Sequence, residues 1–217
     1  MEILLRVFDV LFPVFLTIAI GYWYGKKDPK FETKIITNFA GSIGLPCIIF
    51  YSLTISNIEF TTFLKFSKFI LLYVVIFSII GIITISFFKN DIYRLLPPLI
   101  LPNTGNMGIP ICLFAYGQIG MGIAAAISSL VVLLHFTLNI FLAKRAFDFQ
   151  TIFKSPAFYA IIITVLLLYF EKPIPQFVMN TVMLLAYGMI VMILMSLGVA
   201  LTQMKVFSFK DAVITST

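Results

Sequence analysis

Seven long apolar segments, separated by short polar stretches, dominate this sequence. They cover approximately residues 5–25, 35–56, 67–88, 95–117, 119–143, 155–171 and 176–203. A helix needs roughly 20 predominantly apolar residues to cross the hydrocarbon core of a bilayer, so each segment falls in the range of a membrane span. Charged residues make up 11% of the chain, against roughly 25% in soluble domains. The sequence therefore predicts an all-α integral membrane protein.

The basic residues predict its orientation. Eleven Lys and Arg residues follow the first, third, fifth and seventh segments, and four lie on the other side. Because Lys and Arg are retained on the cytoplasmic side, we expect the N-terminus outside and residue 217 inside the cell, in the plasma or inner membrane. The same bias accounts for the net charge of +6, so the lipid bilayer is the expected partner and nucleic acid is not.

The fourth segment contains LPNTGNMGIP (101–110), which is rich in helix-breaking and hydrogen-bonding residues. Proline lacks an N–H and clashes with the carbonyl four residues earlier, and a freed backbone group costs several kcal/mol in hydrocarbon. The segment must therefore face protein or a water-filled cavity, where half-helices aim their dipole ends inward. We predict a substrate or ion site formed by Asn103, Thr104, Gly105, Asn106, Gly108 and Pro110. The alternative is a kinked structural helix whose asparagines satisfy the freed backbone groups.

Secondary candidates lie in two other segments. Leu45 and Pro46 belong to a milder break in the second. Ser128, His135 and Asn139 follow each other at spacings of seven and four, which places them on one helical face of the fifth. Such a face points into the protein, either as part of a site or to form interhelical hydrogen bonds; we favour the second for His135. The sequence shows no metal-ligand cluster and no nucleophile–base pair, so we predict neither an enzyme nor a cofactor.

Weak internal similarity indicates a repeat. Pro13 and Pro156 lie 143 residues apart, and Ser52-Leu53 and Ser196-Leu197 lie 144 apart. Many transporters consist of two inverted repeats. The offsets predict a first five-helix repeat over 1–147 and the start of a second over 148–217. On this expectation the chain lacks its last three spans, including the counterpart of LPNTGNMGIP.

The motif LPNTGNMGIP resembles the fourth helix of the auxin efflux carrier family, which includes the plant PIN auxin exporters and bacterial permeases. NFAGSIGLPCIIFYSL (38–53) is similar to the second helix of that family, and LAYGMIVMILMSLGVAL (185–201) is similar to its seventh. The resemblance covers about residues 10 to 205.

This resemblance implies a ten-helix fold of two inverted five-helix repeats, with helices four and nine broken and crossing near the midplane. It implies transport of small organic anions, such as auxin or dicarboxylates, by an elevator-like movement of a transport domain against a scaffold. Helices one, two, six and seven would form the scaffold, through which a homodimer would assemble. Asn103 matches the substrate-contacting asparagine of the plant proteins, and Pro110 matches the crossover proline.

Two alternatives to a carrier remain at this point. One is a seven-span receptor or sensor, although the last span has no lysine for a retinal. The other is an accessory membrane subunit that does not transport.

Overall fold

The computed structural model describes residues 2–56, 58–139, 141–142 and 149–203, which form helices and connecting turns with no β-strand among them. The predicted all-α membrane fold is therefore confirmed. The α-helices are α1 (Glu2–Lys27), α2 (Lys34–Phe39), α3 (Leu45–Ile55), α4 (Phe60–Phe87), α5 (Ile92–Ile100), α6 (Ile109–Leu134), α7 (Phe149–Lys154), α8 (Pro156–Phe170) and α9 (Gln176–Gln203). Three π-helical segments are π1 (Ala40–Gly44), π2 (Thr104–Gly108) and π3 (His135–Asn139).

Five helical stretches in the described ranges are long and apolar enough to cross a membrane. They are Glu2–Lys27, Lys34–Ile55, Phe60–Phe87, Ile92–Leu138 and Gln176–Gln203. The predicted sixth segment is α8, a shorter apolar helix of 15 residues, and the predicted fourth and fifth both lie in the 47-residue stretch Ile92–Leu138. The count of seven spans stays a prediction.

The predicted start of the third segment, residue 67, is wrong. Helix α4 begins at Phe60, so Lys65 lies in the helix rather than in the loop before the predicted segment, and Lys68 lies well inside the helix. A long lysine side chain near a helix end can lay its methylenes along apolar surface and carry its ammonium to water. The boundary at residue 67, which is placed by hydropathy, therefore falls inside α4 instead of at its start.

The stretch Ile92–Leu138 reverses direction at Gly117. The backbone there is non-helical, with φ 65° and ψ −153°. A Cβ atom on Gly120 would lie 2.5 Å from the carbonyl oxygen of Cys112, although residues eight apart along a straight helix are separated by roughly 12 Å. The chain therefore folds back at the boundary between the fourth and fifth predicted segments, 95–117 and 119–143.

Substitution of Gly117 by alanine is expected to destabilise the protein by roughly 1–3 kcal/mol, because this backbone conformation is open almost only to glycine. Gly188→Ala is the matched control, since nothing lies within 4 Å of a Cβ added there. The measurement is thermal unfolding in detergent, followed by circular dichroism. Equal midpoints for the two variants would show that the reversal tolerates a side chain.

Helices α1 and α9 form the tightest helix pair described, and glycines line it. A Cβ on Gly21 would collide with the backbone carbonyl of Met195, and a Cβ on Gly198 would collide with backbone atoms of Ile18 and Tyr22. Small residues allow membrane helices to approach this closely. Gly25 meets Val199 and Thr202 further along, so the two helices run parallel.

The apolar interior has two parts. The larger cluster joins buried residues of α1, α3, α8 and α9 with the second half of α6, around Val14, Ile48, Met121, Ile161 and Met189. The smaller cluster joins α4 and α5 around Val74, Ile85, Leu96 and Ile100. The segment 101–110 follows α5 directly and leads into α6, so it connects the two clusters.

Candidate substrate site at the break between α5 and α6

The chain leaves helical geometry between α5 and π2. Leu101 has φ −114° and ψ 86°, and Asn103 has φ −77° and ψ 68°. Pro102 lies between them and has no N–H to continue helix α5. The N–H of Thr104 donates to the carbonyl of Pro102 at 2.9 Å, and helix resumes there. The carbonyl end of α5 and the N–H end of π2 and α6 therefore meet at this turn.

Asn103 caps the helix that begins at this turn. Its Oδ1 accepts a hydrogen bond from the N–H of Asn106 at 3.3 Å, which satisfies one of the N–H groups that a helix start leaves free. Since Oδ1 is occupied, the Nδ2 amino group remains as a donor, and it has no hydrogen-bond partner among the described residues. The side chain of Asn103 is exposed. The capping geometry thus presents two N–H donors to whatever lies beside the turn.

A cavity of about 220 Å³ lies on one side of this turn, and we call it the histidine-side cavity. Its wall consists of Leu45, Pro102, Asn103, Thr104, Gly105, Asn106, Val131, Val132, His135 and Phe136. The hydroxyl oxygen Oγ1 of Thr104 is buried and has no hydrogen-bond partner. A buried hydroxyl without a partner costs about 1–3 kcal/mol. The hydroxyl is therefore available to a ligand or a water that enters this cavity.

A second cavity, of about 190 Å³, lies on the other side of the turn, and we call it the serine-side cavity. Asn103 and Asn106 line it together with Met107, Thr33, Thr37 and residues of α9, among them the nearly buried Ser196. Both asparagines therefore line both cavities. The turn separates two small, mostly apolar spaces with polar groups at the turn itself, and among the described residues no glutamate, aspartate, lysine or arginine lines either one.

The two breaks noted in the sequence share one local geometry. GSIGLP (41–46) and GNMGIP (105–110) both place a π-helical turn directly before an apolar residue and a proline. In each, the N–H of the apolar residue donates to the carbonyl five residues earlier, from Leu45 to Ala40 and from Ile109 to Thr104. The wider turn relieves the clash that a proline ring makes in an α-helix. Pro102 lies eight residues before Pro110, and the corresponding residue in the first break, Asn38, is not a proline. The first break therefore stays helical.

The predicted primary residues divide into two groups. Asn103, Thr104, Gly105 and Asn106 line the histidine-side cavity. Gly108 ends π2, and Pro110 is fully buried in the first turn of α6; neither lines a cavity described above. Their contribution is to shape the backbone that holds the other four.

The predicted secondary residues also separate. Leu45 and His135 line the histidine-side cavity, whereas Pro46 does not. Ser128 is fully buried, and its Oγ has no hydrogen-bond partner. The side chain of Asn139 lies outside the described residues. The same-face prediction assumed one α-helix, but α6 gives way to π3 at His135, so the α-helical spacing of four does not apply from His135 to Asn139.

The sequence did not single out Thr33, Thr37 or Ser196 as site residues. All three reach the turn through tertiary packing, since α9 contacts both π1 and π2. The sequence contains one indication that Ser196 matters, because Ser196-Leu197 pairs with Ser52-Leu53 in the internal repeat. In the described ranges, no three His, Cys, Asp or Glu side chains are grouped to hold a metal ion.

Comparison with protein families shows which class of membrane protein this chain belongs to. A family model described as "Membrane transport protein" matches residues 6–148. The chain belongs to this family of membrane transport proteins. It is the auxin efflux carrier family that the motifs LPNTGNMGIP and NFAGSIGLPCIIFYSL resemble, and both motifs lie inside the matched region. No curated protein and no solved structure matches the chain.

Membership in the auxin efflux carrier family confirms the predicted membrane transporter and integral membrane location. It also argues against the receptor alternative, because the family is one of transporters. The matched region includes the complete turn between α5 and α6 and the wall of the histidine-side cavity, from Leu45 to Phe136.

Proposed function

We propose that this carrier moves small organic anions, and that the turn formed by Asn103, Thr104, Gly105 and Asn106 holds the carboxylate. One observation carries the proposal. The buried hydroxyl of Thr104 has no partner and lies on a cavity wall together with the Asn103 side chain. An N–H helix end also attracts anions through its partial positive charge. These donors suit a carboxylate better than a cation.

The size of the cavities supports a small substrate. Drug-sized ligands occupy pockets of roughly 300–1,000 Å³, whereas the histidine-side cavity holds about 220 Å³. A short mono- or dicarboxylate fits that space with its carboxylate on the turn. A bulkier acid of the auxin type would need the turn to move so that the two cavities join. No covalent chemistry is proposed, and the protein acts as a carrier rather than an enzyme.

The arrangement of the turn supports alternating access. Asn103 and Asn106 line both cavities, so a ligand on the turn could be exposed to one space or the other as α5 and α6 shift against α9. In this proposal α4, α5 and the start of α6 move, while α1, α3, α8 and α9 stay packed as the scaffold. The orientation with the N-terminus outside, the plasma or inner membrane location and dimerisation through the scaffold stay predictions.

Substitution of Thr104 by valine tests the proposal. Valine has the same shape but no hydroxyl, so the protein should keep or slightly gain stability, because a buried group without a partner is removed. Carboxylate affinity should fall by about 10- to 150-fold, since a hydrogen bond to a charged group contributes about 1.5–3 kcal/mol. Thr104→Ser, which retains the hydroxyl, is the matched control and should bind within a few-fold of the natural protein.

The measurements are equilibrium binding of radiolabelled propionate, succinate and indole-3-acetate to detergent-purified protein, and their uptake into proteoliposomes. Saturable binding of at least one carboxylate, weakened in Thr104→Val alone, would support the site. Binding that is equal in all three proteins would place the ligand elsewhere. Binding without uptake would favour the accessory-subunit alternative.

A further inference from the structure

His135 is the one ionisable side chain on the wall of the histidine-side cavity, and the chain contains one histidine. The sequence favours an interhelical hydrogen bond for this side chain. The structure instead places it across the cavity from Asn103 and Thr104. Its side chain is half-buried and makes no hydrogen bond with any described residue. It is thus positioned to act on a ligand that fills the cavity.

The backbone at His135 explains this position. Helix α6 ends at Leu134, and the N–H of His135 donates to the carbonyls of both Val131 and Val132. The π-helical segment π3 begins at this residue. Since Val131 and Val132 line the cavity as well, the helix presents a continuous wall to the turn. A π-helical segment of this kind is frequent at functional sites.

The charged side chains around the histidine-side cavity determine which groups can neutralise a bound anion. Several helices contact α6 or π3 and carry titratable side chains. The charged ones are Glu2, Arg6, Asp9, Lys26 and Lys27 on α1, Lys65 and Lys68 on α4, and Lys154 on α7. The neutral ones are Tyr22 and Tyr24 on α1, Cys47 and Tyr51 on α3, Tyr73 on α4, and Tyr159 and Tyr169 on α8. None of these lines the cavity. A carboxylate there would meet donors on the turn, and among the described residues on the cavity wall only His135 could supply a neutralising positive charge.

We propose that His135 binds the anion as an imidazolium, so that one proton is taken up with each carboxylate that enters the histidine-side cavity. This inference rests on the proposed function. An unperturbed imidazole titrates near pH 6.5, and an anion favours its charged form. Affinity is therefore highest below the titration midpoint of the ligand-bound ring and is lost as pH rises through it. By reciprocity, the ligand moves that midpoint to higher pH.

Two experiments test this inference in the 217-residue chain, purified through a tag that contains no histidine. The first is binding of propionate and indole-3-acetate between pH 6.0 and 8.5, where carboxylates with a pKa near 4 stay ionised. Affinity should fall by about tenfold across this range. His135→Gln should bind with the weak alkaline affinity at every pH. Ser129→Ala, on the same helix but away from the cavity wall, should keep the natural profile.

The second experiment observes the ring itself and does not depend on a variant that folds. Because there is a single histidine, selective isotopic labelling gives one ring signal by NMR. Saturating propionate should move its titration midpoint upward by about one pH unit, which corresponds to the tenfold change in affinity. An unmoved midpoint, or a flat affinity profile, overturns the role of His135 while leaving carboxylate binding intact. Failure of every carboxylate to bind at every pH overturns the proposed function, and the inference with it.

Discussion

Asn103→Ala is expected to lower carboxylate affinity by about 10- to 150-fold. The side chain offers the Nδ2 donor to the ligand, and a hydrogen bond to a charged group contributes about 1.5–3 kcal/mol. The same substitution removes the cap on the N–H of Asn106, which should destabilise the helix start by roughly 1 kcal/mol. Binding and thermal unfolding are therefore measured on the same preparation. Uptake into proteoliposomes should fall in parallel with binding.

Asn103→Asp separates the two roles. A carboxylate at this position keeps an oxygen that accepts from the N–H of Asn106, so stability should stay close to that of the natural protein. It cannot donate, and its negative charge repels an anion. Carboxylate binding should therefore be at least as weak as in Asn103→Ala. If Asn103→Asp binds normally, or if Asn103→Ala remains within twofold of the natural affinity, Asn103 does not contact the ligand.

Gly198→Val is expected to have the largest effect on stability. A Cβ at Gly198 would overlap backbone atoms of Ile18 and Tyr22 on α1, and backbone cannot move aside as a flexible side chain can. Forcing extra atoms into a packed interior typically costs 1–3 kcal/mol and occasionally more. Here the cost should be about 3 kcal/mol or above, since the helices must separate. Thermal unfolding in detergent is the measurement, and loss of the folded fraction on purification is the extreme expected result.

Gly188→Val provides the control for this substitution. It lies on the same helix, ten residues earlier, and nothing lies within 4 Å of an added Cβ. Both variants gain the same small amount of helix propensity, because glycine is the poorer helix former, so the difference between them isolates the collision with α1. A Gly198→Val protein as stable as Gly188→Val would mean that α1 and α9 are not held at this separation.

The parts of this molecule that sequence predicted best are those decided by local composition. The seventh apolar segment, 176–203, coincides with α9, and the first lies within α1. A long run of apolar residues in a bilayer has few alternatives to a helix. The location of the turn at 101–103 could likewise be predicted from sequence, because the missing N–H of Pro102 affects only its immediate neighbours.

The parts that sequence could not supply depend mainly on distant contacts. Thr33 and Ser196 lie on one cavity wall although more than 160 residues separate them. His135 shares a helical face with Val131, four residues earlier, but only the packing of the folded chain brings that face against the turn at Asn103 and Thr104. The sequence contains only a weak indication of the reversal at Gly117. A single glycine between apolar segments does not reveal that its φ is positive.

The glycine contact between α1 and α9 has a consequence for biogenesis. Helix α1 is synthesised first, but the backbone that Gly21 touches, at Met195, emerges from the ribosome more than 170 residues later. Membrane helices insert individually before they associate, so Gly21 and Gly25 of α1 have no α9 to pack against until that segment is made. The pairing of α1 with α9 is then a late, long-range closure, of the kind that slows folding. Quality-control machinery in the membrane would meet an inserted but unpaired first helix throughout that interval.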